Sequence, residues 1–228
     1  MSSSRAKFYE AYWRRERSAV PQDDLTTGDR KELLSLALRS FQGGSVSPGR
    51  GRVLDAGCGS GEFAEFVAEL GFDVTGIDIA ESAIQKAKAR CPNSRFHIGS
   101  VEGNLPFDDG EFDVVWSTEV LEHLFDVHAC LSEFNRVLGE KGILIITTPY
   151  HGVAKNIAIV MMAFERHFNP YLSHIRFFSK RSLKLCLSRA GFAPLSWRGI
   201  GRIWPLYKSF FVVAKKVRSP QGPPEIIG

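Results

Sequence analysis

Cysteine is scarce in this sequence and forms no recognisable pair. The four cysteines among 228 residues are Cys58, Cys91, Cys130 and Cys186, and they stand far apart. Without a Cys-x-x-Cys pair, the sequence indicates neither a disulfide scaffold nor a structural zinc site, and we expect reduced thiols. The chain also lacks an apolar signal core and any run of the ~18–20 apolar residues that cross a bilayer. We therefore expect a cytoplasmic protein.

Low-complexity, collagen-like and coiled-coil patterns are also missing. With 44% hydrophobic and 24% charged residues, the chain can bury a core and is too apolar to be disordered. Its length fits one domain with appendages. We divide that domain into leading helices (1–45), a cofactor-binding core (50–150), a lid insertion (151–175), a C-terminal helix with strands (176–215) and a flexible tail (216–228).

Charge is unevenly distributed along the chain. Residues 151–228 contain 13 basic and two acidic residues, a net charge of +11 that leaves −7 for residues 1–150. Such asymmetry is typical of proteins that bind an anionic partner, namely a phosphorylated substrate, a nucleic acid or a membrane surface. A solvated basic face is the other interpretation, because apolar residues interrupt the basic ones.

Short runs of apolar and β-branched residues alternate with helical periods through most of the chain. The predicted strands are Val53–Ala56, Phe72–Ile77, Arg95–Ile98, Phe112–Trp116, Ile143–Thr147, Phe192–Trp197 and Phe210–Ala214. This alternation predicts an α/β fold with a doubly wound, seven-stranded, mostly parallel sheet of the Rossmann-like type. The last strand follows a loop instead of a helix, so we expect it to be antiparallel.

Helical segments are predicted before, after and between these strands. Ala6–Ser18 is an aromatic and basic leading helix, and the Gly/Ser/Pro stretch Gly43–Gly51 marks the boundary with the core. Val153–Phe168 is predicted to form one strongly apolar helix of the lid. Ser179 is the predicted N-cap of a further helix that ends before Gly191.

Three alternate glycines follow the first predicted strand. Gly57, Gly59 and Gly61 permit a tight turn and let a ligand lie against bare main chain at the start of the next helix. Glu62 occupies the place of the third glycine in a dinucleotide fingerprint, and no Gly-Lys-Ser/Thr sequence is present. The loop therefore indicates a cofactor site that holds neither a pyrophosphate nor a P-loop phosphate.

Asp78 ends the second predicted strand, 21 positions after Gly57. A carboxylate at this point can accept hydrogen bonds from both hydroxyls of a ribose, which indicates a cofactor that carries a nucleoside. The alternative is an ordinary strand-to-helix turn in which Asp78 caps the following helix.

Five segments together resemble the successive motifs of class I S-adenosylmethionine-dependent methyltransferases, nearest the branch with the ubiquinone-pathway O-methyltransferases. They are Asp55–Gly61, Gly76–Asp78, Asn104–Phe107, Phe112–Val115 and Glu119–Leu124. The resemblance runs from about Arg52 to Pro149 and again from His174 to the last strand. It implies S-adenosylmethionine as the cofactor and methyl transfer as the reaction, and it leaves the acceptor open.

The resemblance also implies which residues surround the cofactor. The methionine part would lie among Asp55, Gly57, Cys58, Gly59 and Gly61, and Asp78 would hold the ribose. The residues assigned to the adenine and sulfonium ends are Ile79 on the ring, Ser100, Val101 and Glu102 beside it, and Ser117 near the sulfur. Relatives commonly have an acidic residue at the position of Ser100, so the contact to the adenine amino group would pass to Glu102 or to a backbone carbonyl.

Glu119, Glu122 and His123 are spaced i, i+3 and i+4, on one face if a helix begins at Glu119. This spacing resembles the metal motif of some O-methyltransferases, in which His174 matches the place of a further ligand, and such donors suit Mg²⁺ or Mn²⁺. Alternatively, the glutamates complement a helix N-terminus, or His123 acts directly as the general base. His151 is a second candidate base.

Two aromatic or apolar segments allow several interpretations. The leading helix contains Tyr9, Tyr12 and Trp13, which either close over the cofactor or pack ordinarily. Ile157–Phe164 fits an acceptor lid, a dimer face or a core helix. Together with Trp204–Tyr207 and the neighbouring cations Arg202 and Lys208, it also fits peripheral contact with lipid headgroups.

The sequence predicts O-methylation of a small molecule that is lipophilic or phosphorylated. RNA 2′-hydroxyls are an alternative acceptor because of the basic C-terminal third, although no aromatic-rich RNA-binding module accompanies the fold. N-methylation remains an alternative, since a neutral amine needs no metal. A non-catalytic cofactor-binding regulatory partner is an alternative of another class, distinguished by cofactor binding without turnover.

Overall fold

The computed structural model describes residues 4–14, 26–45, 51–168 and 173–222. The helices are α1 (Ser4–Arg14), α2 (Thr27–Ser45), α3 (Glu62–Glu69), α4 (Glu81–Arg90), α5 (Val127–Val137), α6 (Val153–Met162), α7 (Phe164–His167) and α8 (Lys180–Arg189). The strands are β1 (Arg52–Ala56), β2 (Asp73–Asp78), β3 (Arg95–Ile98), β4 (Phe112–Thr118), β5 (Leu138–Pro149), β6 (Phe192–Ile200) and β7 (Ser209–Lys216).

The seven strands form one sheet in the order β3-β2-β1-β4-β5-β7-β6. The first five pair in parallel, whereas β7 runs antiparallel to both β5 and β6. The seven-stranded, mostly parallel α/β fold and the reversed last strand are thus confirmed. Apolar side chains occupy both faces of the central strands, so the strands read as continuous hydrophobic runs in the sequence.

Helices cover the two faces of the sheet and enclose two cores. One core packs Leu131 and Phe134 of α5 and Leu183 of α8 against the sheet. The other packs Leu34 and Leu38 of α2, together with buried residues of α3 and α4, against the opposite face. Leu131 and Phe134 are spaced i, i+3, and Leu34 and Leu38 are spaced i, i+4, as on the core-facing side of a helix.

The chain changes direction across the sheet at β1, which pairs with β2 on one side and β4 on the other. The connections that leave β1 and β4 therefore lie on opposite faces, and a crevice opens between the carboxyl ends of these strands. Asp55, Asp78 and the segment after Thr118 all lie at this edge. The topology brings together residues that are far apart in sequence.

Two details of the predicted helices are wrong. The single lid helix is divided into α6 and α7 at Ala163, whose φ of −152° and ψ of 28° lie outside the helical region. No helix begins at Glu119, whose φ is +51°; a 3₁₀ turn at Leu121–His123 follows instead. The leading helix covers Ser4–Arg14, and the rest of its predicted span lies outside the described residues.

Hydrogen bonds attach the start of the predicted flexible tail to the rest of the fold. The Val217 and Gln221 amides donate to the carbonyls of Gly191 and Arg189, and Asn135 Nδ2 donates to the Arg218 carbonyl at 3.0 Å. These bonds attach Val217, Arg218 and Gln221 to the rest of the fold. The flexibility of the tail stays a prediction, and residues 223–228 lie outside the described part. Among the described residues, none of the helices has the length and apolar character needed to cross a bilayer.

Candidate active site

The loop after β1 has the backbone conformation that its glycines predict. Gly57, Gly59 and Gly61 have φ values of +80°, +51° and +80°, a region that side chains with a Cβ rarely adopt. The Gly57 and Cys58 amides donate to the Ile77 carbonyl of β2 at 2.8 and 3.0 Å. A Cβ at Gly57 would collide with the Val120 side chain. The loop is thus fixed between β2 and the segment that follows β4.

Asp78 holds this loop from the end of β2. Its Oδ2 accepts from the Gly59 amide at 3.0 Å, and its Oδ1 accepts from the Ala80 amide at 2.9 Å, next to the start of α4. Burial raises the pKa of the Asp78 carboxyl. A carboxylate can accept about four hydrogen bonds, so these two contacts leave capacity for the ribose hydroxyls. The supporting and ribose-binding roles are therefore compatible.

Asp55 supplies the clearest sign that this loop suits a cationic ligand. The side chain is buried, and neither carboxylate oxygen has a hydrogen-bond partner among the described residues. Burial and the nearby charge of Asp78 together raise the pKa of Asp55 to about 8, although the Ala64 backbone acts in the opposite direction. A buried carboxylate with so little compensation is costly unless a positive group approaches. The ammonium and sulfonium groups of S-adenosylmethionine would meet that need.

The other residues predicted around the cofactor lie on the same edge of the sheet. Cys58 and Val101 are buried, and Ile79 is half-buried. Ser100 Oγ accepts from the Glu102 amide at 3.1 Å, and Glu102 Oε1 accepts from the Asp126 amide at 2.7 Å. Ser117 Oγ donates to the Ala56 carbonyl at 2.9 Å. The hydroxyl of Ser117 therefore ties β4 to β1 at the end that faces the crevice.

Helix α1 lies across the crevice. Glu10 Oε2 accepts from the Ser82 amide at 3.1 Å, which attaches α1 to the start of α4. A Cβ at Gly59 would come 2.8 Å from the Trp13 indole, and the Tyr9 ring centroid lies 6.0 Å from that of His123. Four residues of helix span about 6 Å, so one turn of α1 joins the glycine loop to His123.

His123 follows β4 and is poised as a proton acceptor. Its Nδ1 lies 3.0 Å from the Ser173 carbonyl oxygen, which fixes Nδ1 as the donor and leaves the Nε2 lone pair free to accept a proton. Burial lowers the pKa of His123, so the imidazole is neutral at neutral pH. Its Nε2 lies 4.0 Å from Glu122 Oε1.

Glu122 is fully buried beneath His123. Its Oε2 accepts from Thr148 Oγ1 at 3.1 Å, whereas Oε1 has no hydrogen-bond partner among the described residues. Burial and the charge of Glu119 raise the pKa of Glu122 well above its ordinary value. The Glu122 carbonyl accepts from the Ile175 and Arg176 amides at 2.9 and 3.0 Å. These bonds hold the segment that carries His174 beside the site.

The predicted metal-binding set is brought together in part. Ligand atoms of Glu122, His123 and His174 lie within 4.8 Å of one another, and a carboxylate with two neutral imidazoles fits a divalent cation. Glu119 lies outside this group. Because its left-handed backbone redirects the side chain, Oε1 accepts from Thr147 Oγ1 at 3.0 Å and lies 3.4 Å from Arg30 Nη2. Glu119, the remaining predicted ligand, is therefore a partner of Arg30.

His151, the second candidate base, lies beside this group. It is buried, its Nδ1 lies 3.1 Å from Asn156 Oδ1, and its ring is 5.3 Å from that of His167. Burial lowers the pKa of His151 to about 4.

The sequence analysis did not identify Arg30 or Thr148 as site residues. Arg30 stands among other charged residues of α2, and no local signal separates it from a surface cation.

Comparison with known proteins agrees with this geometry. Residues 25–196 match the family described as Methyltransferase domain. A malonyl-[acyl-carrier protein] O-methyltransferase of Hamiltonella defensa is 30% identical over 161 residues, which cover 65% of this chain and 62% of that protein. A ubiquinone biosynthesis O-methyltransferase of Caulobacter is 36% identical over 119 residues, which cover 49% and 47%. The chain thus spans between about half and three-fifths of these two relatives.

A solved structure shows the same fold. The PH0226 protein of Pyrococcus horikoshii OT3 superposes with a TM-score of 0.67 at 21% identity, over 94% of this chain and 99% of that one. At this identity the similarity bears on the fold alone.

Proposed function

This chain belongs to the methyltransferase domain family, and from that premise we propose that it methylates a hydroxyl of a small, lipophilic acceptor with S-adenosylmethionine. The observation that carries the proposal is the neutral imidazole of His123, whose Nε2 is free to accept a proton one turn of α1 away from the glycine loop. A hydroxyl must lose its proton when it is methylated, and a positioned base supplies that step.

Two carboxylates and a loop of main-chain groups fit the cofactor. Asp78 would hold the ribose and Asp55 would balance the positive charge of the methionine part, while Gly59 leaves room for Trp13 of α1 to pack against the loop. When bound, the cofactor supplies a methyl group that its positive sulfur activates toward a nucleophile. Trp13 and Tyr9 of α1 exclude water from above the crevice, which favours a reaction that disperses charge.

His123 would remove the proton of the acceptor. The Ser173 carbonyl fixes the tautomer, so the proton moves from the acceptor oxygen to Nε2. The imidazolium that results lies 4.0 Å from Glu122 Oε1. His151 is less suited, because a pKa lowered to about 4 makes its imidazole a weak base.

A divalent cation is a second way to activate the acceptor at the same residues. Glu122, His123 and His174 would hold it, and a bound cation would lower the pKa of an acceptor hydroxyl. His123 then serves as a ligand through the nitrogen that would otherwise accept the proton. Nε2 cannot bind a cation and accept a proton at the same time, so the two mechanisms are mutually exclusive. Only the mechanism with the cation is sensitive to a chelator.

The proposed acceptor class rests on the surroundings of the histidines and on the relatives. The exposed Phe177 ring lies 4.8 Å from the ring of His151. The apolar helix α6 begins two residues after His151 in the sequence. Both relatives compared above are named O-methyltransferases, which supports an oxygen acceptor. A lipophilic molecule with one hydroxyl fits these features better than a fully polar one.

The test is transfer of a labelled methyl group into a fractionated cell extract. We expect label in the lipid fraction, with no loss when a chelator is present. Label in RNA would show that the acceptor is a nucleic acid and not a lipophilic small molecule. Loss of label with a chelator would favour activation of the acceptor by a cation over proton removal by His123. Binding of the cofactor with no label in any fraction would contradict catalysis and favour a regulatory partner.

A further inference from the structure

An exposed apolar surface stands beside the histidines. We define it by Val153, Ile157, Val160 and Met161 of α6 and by Ile203 and Trp204 of the segment before β7. Each of these side chains is more than half exposed. The four positions of α6 are spaced i, i+4, i+7 and i+8, so they form one stripe of the helix.

Hydrogen bonds join the two segments. Lys155 of α6 donates through Nζ to the Lys208 carbonyl at 3.1 Å and to the Tyr150 carbonyl at 2.7 Å. The Tyr150 amide donates in turn to the Lys208 carbonyl at 3.1 Å. These bonds hold the start of α6 against the segment that carries Ile203 and Trp204.

Basic residues flank the apolar surface. The sequence places Lys155, Arg166, Arg202 and Lys208 in its two segments (residues 153–168 and 201–208), against Glu165 as the single acidic residue. Burial, together with the nearby charges of Arg202 and Lys208, lowers the pKa of Lys155 to about 8. Lys155, Arg202 and Lys208 are therefore close enough to repel one another, and an anionic ligand would relieve that repulsion.

We propose that this apolar surface docks on an anionic lipid bilayer. Apolar side chains that project from a short helix and a loop enter the headgroup region, and cations beside them pair with anionic lipids. A second copy of the chain is a poorer occupant, because a twofold interface would place these cations against their own copies. The proposal concerns adsorption to the surface of the bilayer, and it does not depend on methyl transfer.

The test is flotation of the full chain with vesicles of phosphatidylcholine, with and without phosphatidylglycerol. We expect binding to the anionic vesicles that weakens as salt is raised. Ile157→Glu should lower the partition coefficient about tenfold or more, because it removes apolar contact and adds repulsion. Leu185→Glu on α8 is the matched control, since Leu185 is exposed to the same extent as Ile157.

A second pair of variants separates charge from apolar contact. Arg202→Gln should weaken binding to anionic vesicles, and Arg198→Gln on β6 should not. Melting temperatures near that of the wild type show that each variant is folded. Equal binding to neutral and anionic vesicles, no binding, or binding unaffected by Ile157→Glu would overturn the proposal. A dimer that Ile157→Glu dissociates, without vesicle binding, would assign the surface to a second copy.

Discussion

The crevice has two halves that differ in how the chain builds them. The donor half comes from the ends of β1 and β2, where carboxylates and glycines lie within 24 residues of sequence, from Asp55 to Asp78. The acceptor half takes His123, Thr148 and His174 from three separate segments. A continuous motif therefore builds one half, and the topology of the sheet assembles the other.

The two halves also differ in electrostatic character. Buried carboxylates dominate the donor half, which suits a cationic ligand. Imidazoles whose pKa values are lowered by burial dominate the acceptor half, which suits removal of a proton near neutral pH. Because of this contrast, we expect substitutions in the donor half to change cofactor binding and substitutions in the acceptor half to change proton transfer.

The largest effect is expected for His123→Gln. Loss of the base should lower turnover about 100-fold to 1000-fold, whereas cofactor affinity should hardly change, because the donor half stays intact. Steady-state kinetics and cofactor titration measure the two quantities. His128→Gln on α5 is the control, and unchanged turnover in His123→Gln would remove this residue from the mechanism.

Asp78→Asn should disturb the donor half instead. The amide side chain loses the charge that strengthens the bonds to Gly59 and to a ribose, so cofactor affinity should fall about 10-fold to 100-fold. Asp73→Asn at the exposed start of the same strand is the matched control. Equal cofactor affinity in the two variants would contradict the assignment of Asp78.

The pH profile of kcat/KM sharpens the assignment of the base. Because burial lowers the pKa of His123, the imidazole stays neutral and active to a lower pH than an exposed histidine. We expect kcat/KM to fall about tenfold per unit of pH only below a midpoint that lies under about 6.5, the ordinary pKa of histidine. A midpoint above that value would contradict the environment described for His123.

The smallest effect is expected for the stability of Glu122→Gln. In the unfolded chain the carboxyl ionises above about 4.5, whereas burial keeps it protonated in the folded protein. The folded state thus binds more protons above that pH, and the contribution of Glu122 to stability falls as the pH rises. Glu122→Gln should therefore match the wild type in acid and be more stable at pH values above neutrality.

Urea unfolding at several pH values measures this difference, with Glu69→Gln as an exposed control. The same unfolding measurement with added Mg²⁺ or Mn²⁺ tests whether Glu122 is instead an ionised metal ligand. If the cation stabilises the wild type and not Glu122→Gln, then Glu122 is ionised and acts as a ligand. No change in the pH dependence would contradict the protonated state.

The difference between the halves explains what the sequence could predict. The glycine loop and Asp78 lie in one strand-loop-helix-strand segment, so local spacing was enough to place them. Glu119 was misassigned because its left-handed backbone turns the side chain toward Arg30, and neither feature has a local signal. The break at Ala163 was likewise missed, since apolar residues continue through it.

The most direct test is a crystal structure of the protein with S-adenosylhomocysteine, the demethylated product of the cofactor. We predict the ribose hydroxyls on Asp78, the amino group near Asp55, and the sulfur directed toward Nε2 of His123. A ligand bound elsewhere, or a sulfur directed away from His123, would contradict the account of donor and acceptor halves.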